Sequence, residues 1–386
     1  MSSLECHFAV KLFQQIRLSN KENIFFSPFS ILSALSLVYL GAKKNTAVEL
    51  QKVLFSDESS ETTNEGNTAI TAGKLDKVHH HFQKLQTELN KPSDDYELST
   101  VNRLYGEKTF RFLQEYTDNI KKFYLADVES VDFANAAEEC RKMINSWVER
   151  QTHDKIKDLI PKGDLTGAIL LLVNAVYFKG QWENIFDEKI TEQAQFWLNK
   201  DTSKSVEMMR QISFYNFSSL EDVQAKILEI PYKGKDLSMV VLLPNEVDGL
   251  KKLEENFTSN KLKEWMRPEN MSARQVSLHL PRLHVEESYD LKATLMGLGI
   301  VDAFSSQDAD LSGMTGSQGL VLSKVLHKCL VDVTERGTEA AAATAIKVEI
   351  TASPYLERFH CDHPFLFFIK HNKFNSILFF GRFSSP

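Results

Sequence analysis

Cysteine is scarce in this chain. Four occur in 386 residues, Cys6, Cys140, Cys329 and Cys361, and no two stand at the spacing of a zinc knuckle or a redox pair. Thiols so placed are expected to be free, which suits a reducing compartment. An excess of one charge is also lacking. The 45 basic and 52 acidic residues leave a net charge of −7 with both signs interspersed, so neither nucleic acid nor an anionic membrane is called for as a partner. The first ten residues bring acidic Glu5 early and no apolar run follows, so no secretory leader is expected. One uncharged stretch has membrane-spanning length, Ile24 to Ala42. It carries Pro28 near its start and serines at 27, 30, 33 and 36, a small polar stripe at helical spacing, and is expected as a buried core helix.

Catalytic and metal chemistry is missing too. There is no Gly-x-Ser-x-Gly elbow, phosphate loop, dinucleotide fingerprint or His-Glu-x-x-His. Asp308 to Gly313 begins like a calcium loop, but its final position is Gly319 where a bidentate Glu is needed. His79, His80 and His81 would splay about 100° apart on a helix and cannot converge on one ion, so a solvated helix face is expected there. No metal, cofactor or enzymatic activity is therefore expected. The sequons at Asn216, Asn256 and Asn270 matter only in a secreted chain.

What is present is a long chain of ordinary globular composition, 42% apolar and 25% charged. Leu4, Phe8, Leu12 and Ile16 share helical spacing within residues 4–19, and residues 137–160 show it again, up to Pro161. Residues 56–73 are polar, charged and glycine-containing and read as a mobile loop, with a polar helical stretch following through Lys91. Ala168 to Phe178 is a continuous apolar run, the mark of a strand buried on both faces. Further strands are expected at 226–231, 237–243, 275–284 and 365–383. Helices dominate the first half and strands the second, which predicts an α+β fold in one unit spanning residues 1–386.

Two local preferences collide near the C-terminus. Glu339 to Ala345 has the composition of a helix, while Ile346 to Thr351 alternates apolar and polar like a strand. Carried backwards, the strand period puts Thr338, Ala340, Ala342 and Thr344 on the same face as Ile346, Val348 and Ile350. Every residue on that face is uncharged and the first four are small. Spacing alone leaves two readings open: an alanine helix leading into an edge strand, or a segment built to change conformation.

This segment resembles the reactive-loop hinge of the serpins, with Glu335, Gly337, Thr338, Glu339 and then Ala340, Ala341, Ala342, Ala343 and Thr344 in place. Three further motifs extend the resemblance along the chain: Asn23 to Ile31 to an early core helix, Val173 to Trp182 to a central strand and its turn, and Phe359 to Ile369 with Phe380 to Phe383 to the C-terminal strands. The chain is most similar to the ovalbumin-like intracellular branch, clade B, and within it to the squamous cell carcinoma antigen group.

The resemblance implies three β-sheets, about nine helices and an exposed reactive-centre loop over residues 335–358. It implies a suicide-substrate inhibitor that traps elastase-like or chymotrypsin-like serine proteases, papain-like cathepsins, or both. The alternative within the family is a non-inhibitory binding or chaperone-like protein. Counting from Glu335 puts the scissile bond at Thr351–Ala352, within one or two residues, with Ile350, Glu349 and Val348 as the target-subsite residues before it. Lys347 and Arg358 are the alternative basic sites. Arg336 departs from the family's usual acidic or lysine residue, and the stretch after the cut is one residue short. By position, Ser30, Asn174 and His327 match a polar cluster under the opening strands. Lys292 and Glu335 match an ion pair beside Trp182 at the top of the sheet. A monomer in the cytoplasm is expected, with release from the cell left open.

Overall fold

The computed structural model describes residues 3–56, 72–336 and 355–386. Its strands, in chain order, are β1 (Ile24–Phe26), β2 (Tyr96–Glu107), β3 (Asp127–Val131), β4 (Leu170–Gly180), β5 (Glu192–Trp197), β6 (Ser203–Leu220) and β7 (Ala225–Pro231). They continue as β8 (Leu237–Pro244), β9 (Ser272–Pro281), β10 (Leu283–Asp290), β11 (Leu322–Val333), β12 (Glu357–His360), β13 (Phe365–His371) and β14 (Ser376–Phe383). The described helices are α1 (Ser3–Ser19), α2 (Pro28–Gly41), α3 (Lys44–Leu54), α4 (Ala72–Leu89), α5 (Gln114–Tyr124), α6 (Phe133–Gln151), α7 (Leu250–Glu255), α8 (Ser259–Trp265), α9 (Lys292–Leu298) and α10 (Ser312–Thr315).

The architecture is α+β. A five-stranded sheet runs β10-β11-β4-β2-β3, and a nine-stranded one runs β1-β14-β13-β8-β7-β6-β9-β12 with β5 also paired to β6. Two of the three expected sheets are joined by β6. Its first half pairs with β5 and its second half with β7, while β9 bridges the two.

The uncharged stretch at 24–42 divides at Pro28, whose fixed φ suits a helix start. Ile24 to Phe26 forms β1, and Ser27 caps α2 by accepting from the Ser30 N–H at 3.2 Å. The helix is buried along nearly its whole length, as its lack of a charged face requires. The polar run at 56–73 ends sooner than its composition suggests, because Ala72 already begins α4. The solvated face expected of the three histidines gives way to specific contacts. His79 is buried with Nδ1 2.5 Å from the Tyr124 hydroxyl, His81 reaches Glu5, and only His80 stays exposed.

Strand β4 is buried on both faces because each meets a different core. Leu170, Leu172, Val176 and Phe178 face the main core with α2. Leu171, Val173, Ala175 and Tyr177 face Ile144 and Val148 of α6. Strand β12, on the C-terminal side of residues 337–354, adds parallel to the edge strand β9 and sets His360 opposite His279. The two imidazoles stack with centroids 3.5 Å apart and planes 6° from parallel. Arg358 Nε donates to His360 Nδ1 at 2.8 Å, so the His360 proton sits on Nε2, 3.4 Å from Ser277 Oγ.

Burial, with Arg210 and Arg358 nearby, pushes the His279 pKa down. Burial, His279 and Arg358 push His360 down to about 4. The acidic groups facing the pair are already engaged, Glu192 by Arg210 at 2.5 Å and Asp362 by His363 at 2.8 Å. A detached β12 would titrate near the ordinary histidine value, so between about pH 6.5 and pH 4 it binds more protons than the docked strand. Docking is then complete above pH 6.5 and is lost as the pH falls towards 4. Amide exchange of residues 357–360, corrected for the intrinsic rate, should accelerate roughly tenfold or more between pH 7 and pH 4.5. His360→Gln should flatten that dependence.

Candidate functional site

The five-stranded sheet contains one junction unlike its immediate neighbours. β4 pairs antiparallel with β2 and β11 antiparallel with β10, whereas β4 and β11 run parallel to each other from Leu170/Leu322 to Phe178/Val331. Parallel ladders are the slightly weaker kind. Strand β11 ends at Val333, and the described chain continues to Arg336, just before residues 337–354.

Asn174 and His327 face each other across the junction. His327 Nδ1 lies 2.5 Å from Asn174 Oδ1, and the Ser27 N–H donates to His327 Nε2 at 3.1 Å. A backbone N–H only donates, so Nε2 carries no proton and Nδ1 donates to the amide oxygen. Asn174 Nδ2 donates to Ser30 Oγ at 2.5 Å and to the Val101 carbonyl at 3.3 Å, and also meets Asn102 Oδ1. His327 is fully buried, and burial pushes its pKa down to about 3. The imidazole is neutral at physiological pH, and this bond geometry requires it to be.

Above the junction, Trp182 stacks on Tyr232 at 4.5 Å, and its Nε1 donates to the Thr334 carbonyl at 2.9 Å. The Phe186 N–H donates to the Glu335 carbonyl at 2.9 Å. The Glu335 side chain, 3% exposed, pairs with Arg282 at 2.7 Å and accepts from Thr191 Oγ1 at 2.6 Å. Burial alone would raise the Glu335 carboxyl, but the bonds from Arg282 and Thr191 outweigh it and hold it below the usual carboxylate range.

The expected Lys292–Glu335 pair is not formed. Register explains why: β10 runs antiparallel to β11 with Leu283 opposite Val333, so Arg282, just before β10, lies next to residue 335. Lys292 follows the other end of β10, about 30 Å away along a strand, where its ammonium lies 5.8 Å from the Phe304 ring centroid. Ser30, Asn174 and His327 therefore meet in one cluster and Trp182 joins Glu335 in another, and Lys292 belongs to neither. Arg282, Thr191, Asn102 and Ser27 were not anticipated. Pro281 was the available signal for Arg282, since it ends β9 and splits the expected 275–284 strand before that residue.

The remaining hinge residues Gly337, Thr338, Glu339, Ala340, Ala341, Ala342, Ala343 and Thr344 lie outside the described residues. So do Val348, Glu349, Ile350 and the Thr351–Ala352 bond.

Comparison with known proteins agrees with this arrangement. The serpin (serine protease inhibitor) family model matches residues 3–386. Human Serpin B3 is 61% identical and human Serpin B4 60% identical, each covering 100% of this chain and 99% of its own length. Human leukocyte elastase inhibitor is 46% identical over the same shares. Uncleaved ovalbumin superposes with a TM-score of 0.87 at 36% identity, covering 100% of this chain and 99% of its own. A loop-inserted, cleaved ovalbumin mutant gives 0.85 at 35% identity, covering the same shares. The chain belongs to the serpin family, with clade B serpins of the squamous cell carcinoma antigen group among its relatives.

Proposed function

We propose that the protein is a suicide-substrate protease inhibitor acting as a monomer in the cytoplasm, with one protease trapped per chain. It is a substrate that jams its attacker and not itself an enzyme. The observation that carries this reading is the parallel β4–β11 junction, with residues 337–354 following β11 in the chain. A segment that turns back after Arg336 would run antiparallel to both neighbours, replacing one parallel ladder by two antiparallel ones. Both neighbours bury both faces, so the newcomer is covered on both sides as well. Thr338, Ala340, Ala342 and Thr344 bring no charge and little bulk to one of those faces.

The energetics favour insertion once the loop is cut. About a dozen new ladder bonds at a net ~0.5–1.5 kcal/mol each give on the order of 10 kcal/mol. Burial of Ile346 and Val348 adds ~1.5–3 kcal/mol each. The chain on either side of residues 337–354 is tethered, by Glu335 to Arg282 and by β12 to β9, and in this reading those tethers oppose insertion until the cut. The target attacks the Thr351 carbonyl, and its nucleophile becomes acylated as the Thr351–Ala352 bond breaks. Insertion then drags the acylated protease before water can free it. Small Thr351 fits an elastase-like or an indifferent primary pocket, and apolar Ile350 fits the site that papain-like cysteine proteases read. The four buried cysteines, none of them in a disulfide, support a reducing location.

Incubation with elastase-like serine proteases should give a covalent band of summed mass on denaturing gels. With cathepsin-type enzymes, residual activity should fall even where a labile thioester leaves no band. Cleavage without loss of protease activity would mean a non-inhibitory serpin instead. The nicked protein should melt well above the intact one. Thr338→Arg should raise the inhibitor consumed per protease trapped by roughly tenfold or more, because an inward charge costs several kcal/mol. Arg282→Gln should lower the intact Tm by roughly 2–5 °C and speed loss of inhibitory activity at 37 °C, whereas Lys292→Gln should do neither.

A further inference from the structure

Between α1, α2, α4 and the residue after α3 lies a cleft of about 210 Å³ that neither the loop nor the sheet junction uses. Most of its wall is carbon, including Leu32 and Phe55, each 1% exposed, and Phe82, also 1% exposed. Three polar residues, Glu5, Lys77 and His81, break that wall. Glu5 is 5% exposed; its Oε1 takes the His81 Nε2 proton at 2.8 Å, but its Oε2 is buried and has no hydrogen-bond partner. A buried acceptor left in this state is costly, and an incoming donor would relieve it.

The surroundings specify that donor. His81 already donates to this carboxylate, and that bond raises the His81 pKa. Lys77 stands exposed at the rim and repels a second ammonium. The group that fits is therefore an uncharged O–H on an apolar body. The space holds one ring with a short chain, less than a drug-sized ligand needs.

We propose that this cleft binds a small neutral amphiphile of the alkylphenol class, its hydroxyl donating to Glu5 Oε2 and its ring lying between Phe55 and Phe82. The site has a physical route to the sheet junction. Phe82 stacks on Phe29 of α2 at 5.4 Å, Gln86 of α4 donates to Ser33 Oγ at 3.0 Å, and Ser30 on α2 accepts from Asn174. An occupant wedged against Leu32 holds α2 where Ser30 is needed, and so favours the closed sheet. This last step rests on the insertion reading above; binding itself does not.

The test uses the full intact chain with 4-propylphenol as probe and propylbenzene as its donorless control, read by ligand-observed NMR and by thermal shift without any protease. Saturable binding of one propylphenol per chain is expected, with propylbenzene weaker by roughly tenfold or more. Glu5→Gln should shrink that advantage severalfold. Val78→Trp, which puts a large ring on the cleft's partly exposed lining, should abolish binding of both while the circular dichroism spectrum stays unchanged. Equal affinity for the two probes, indifference to both variants, or no saturable binding (as when the chain's own residues close the cleft) overturns the site. Saturating propylphenol should also slow protease trapping by the wild-type chain but not by Val78→Trp. Equal rates despite measured binding overturn the coupling to the junction and leave the site standing.

Discussion

One buried bond, His327 Nδ1–H to Asn174 Oδ1, spans the junction that the rest of the molecule is arranged around. Its net worth as a hydrogen bond is modest, ~0.5–1.5 kcal/mol, but leaving either partner unpaired in the core costs more. The cluster is therefore stable in place and unstable half-open. Asn174 is tied at the same time to β2 through Val101, to α2 through Ser30, and to β11 through His327. Parting β4 from β11 must disturb all three together. Such an arrangement makes opening of the junction cooperative, which is what the proposed trap requires of a barrier.

The described residues on the two sides of 337–354 are held by different chemistry. On the N-terminal side Glu335 is buried in a charge pair with Arg282, and the carboxylate stays ionised. On the C-terminal side β12 rests on β9 through two neutral imidazoles, which acid makes mutually repulsive. His327, in the lock itself, is depressed further, to about 3. Mild acid thus loosens the C-terminal anchor while the junction stays locked. The two histidine sites differ for a plain reason: His327 is sealed in the core, whereas His279 and His360 are only half-buried at a sheet edge.

Much of this was legible in the sequence. The apolar run at 168–178 predicted a doubly covered strand, and β4 is one. The serine stripe at 27, 30, 33 and 36 predicted a buried helix, and α2 is one. Strands β2, β6 and β11 escaped because their outward charges break any simple alternation. Lys324 and Lys328 in β11 are satisfied by Asp164 at 2.9 Å and Glu286 at 2.7 Å, partners no local pattern reveals. The Lys292 error has the same origin. Which cation meets Glu335 is decided by the register of β10 against β11, a non-local quantity that is set only when the sheet forms. His79 misled in a similar way, since its buried partner Tyr124 lies on a different helix.

The three serines of α2 and its cap residue Ser27 show how one helix with no charged face links the parts. Three of the hydroxyls serve different neighbouring elements, and the fourth serves the helix itself. Ser27 Oγ donates to the Leu378 carbonyl of β14 at 2.7 Å, and Ser30 Oγ accepts from Asn174 of β4. Ser33 Oγ accepts from Gln86 of α4 at 3.0 Å, while Ser36 Oγ returns to its own turn at Leu32, 2.8 Å away. Larger side chains would hold the neighbours too far apart for these bonds, and alanines would leave Asn174 and Gln86 without acceptors there. Small polar residues are therefore the chemical solution for a helix that must be buried, close-packed and responsive at once. Ser30 thus ties α2 to β4 beside the β4–β11 junction, while Ser27 and Ser33 tie the same helix to β14 and α4. The stripe that set this helix apart from a membrane span is also what couples the two sheets.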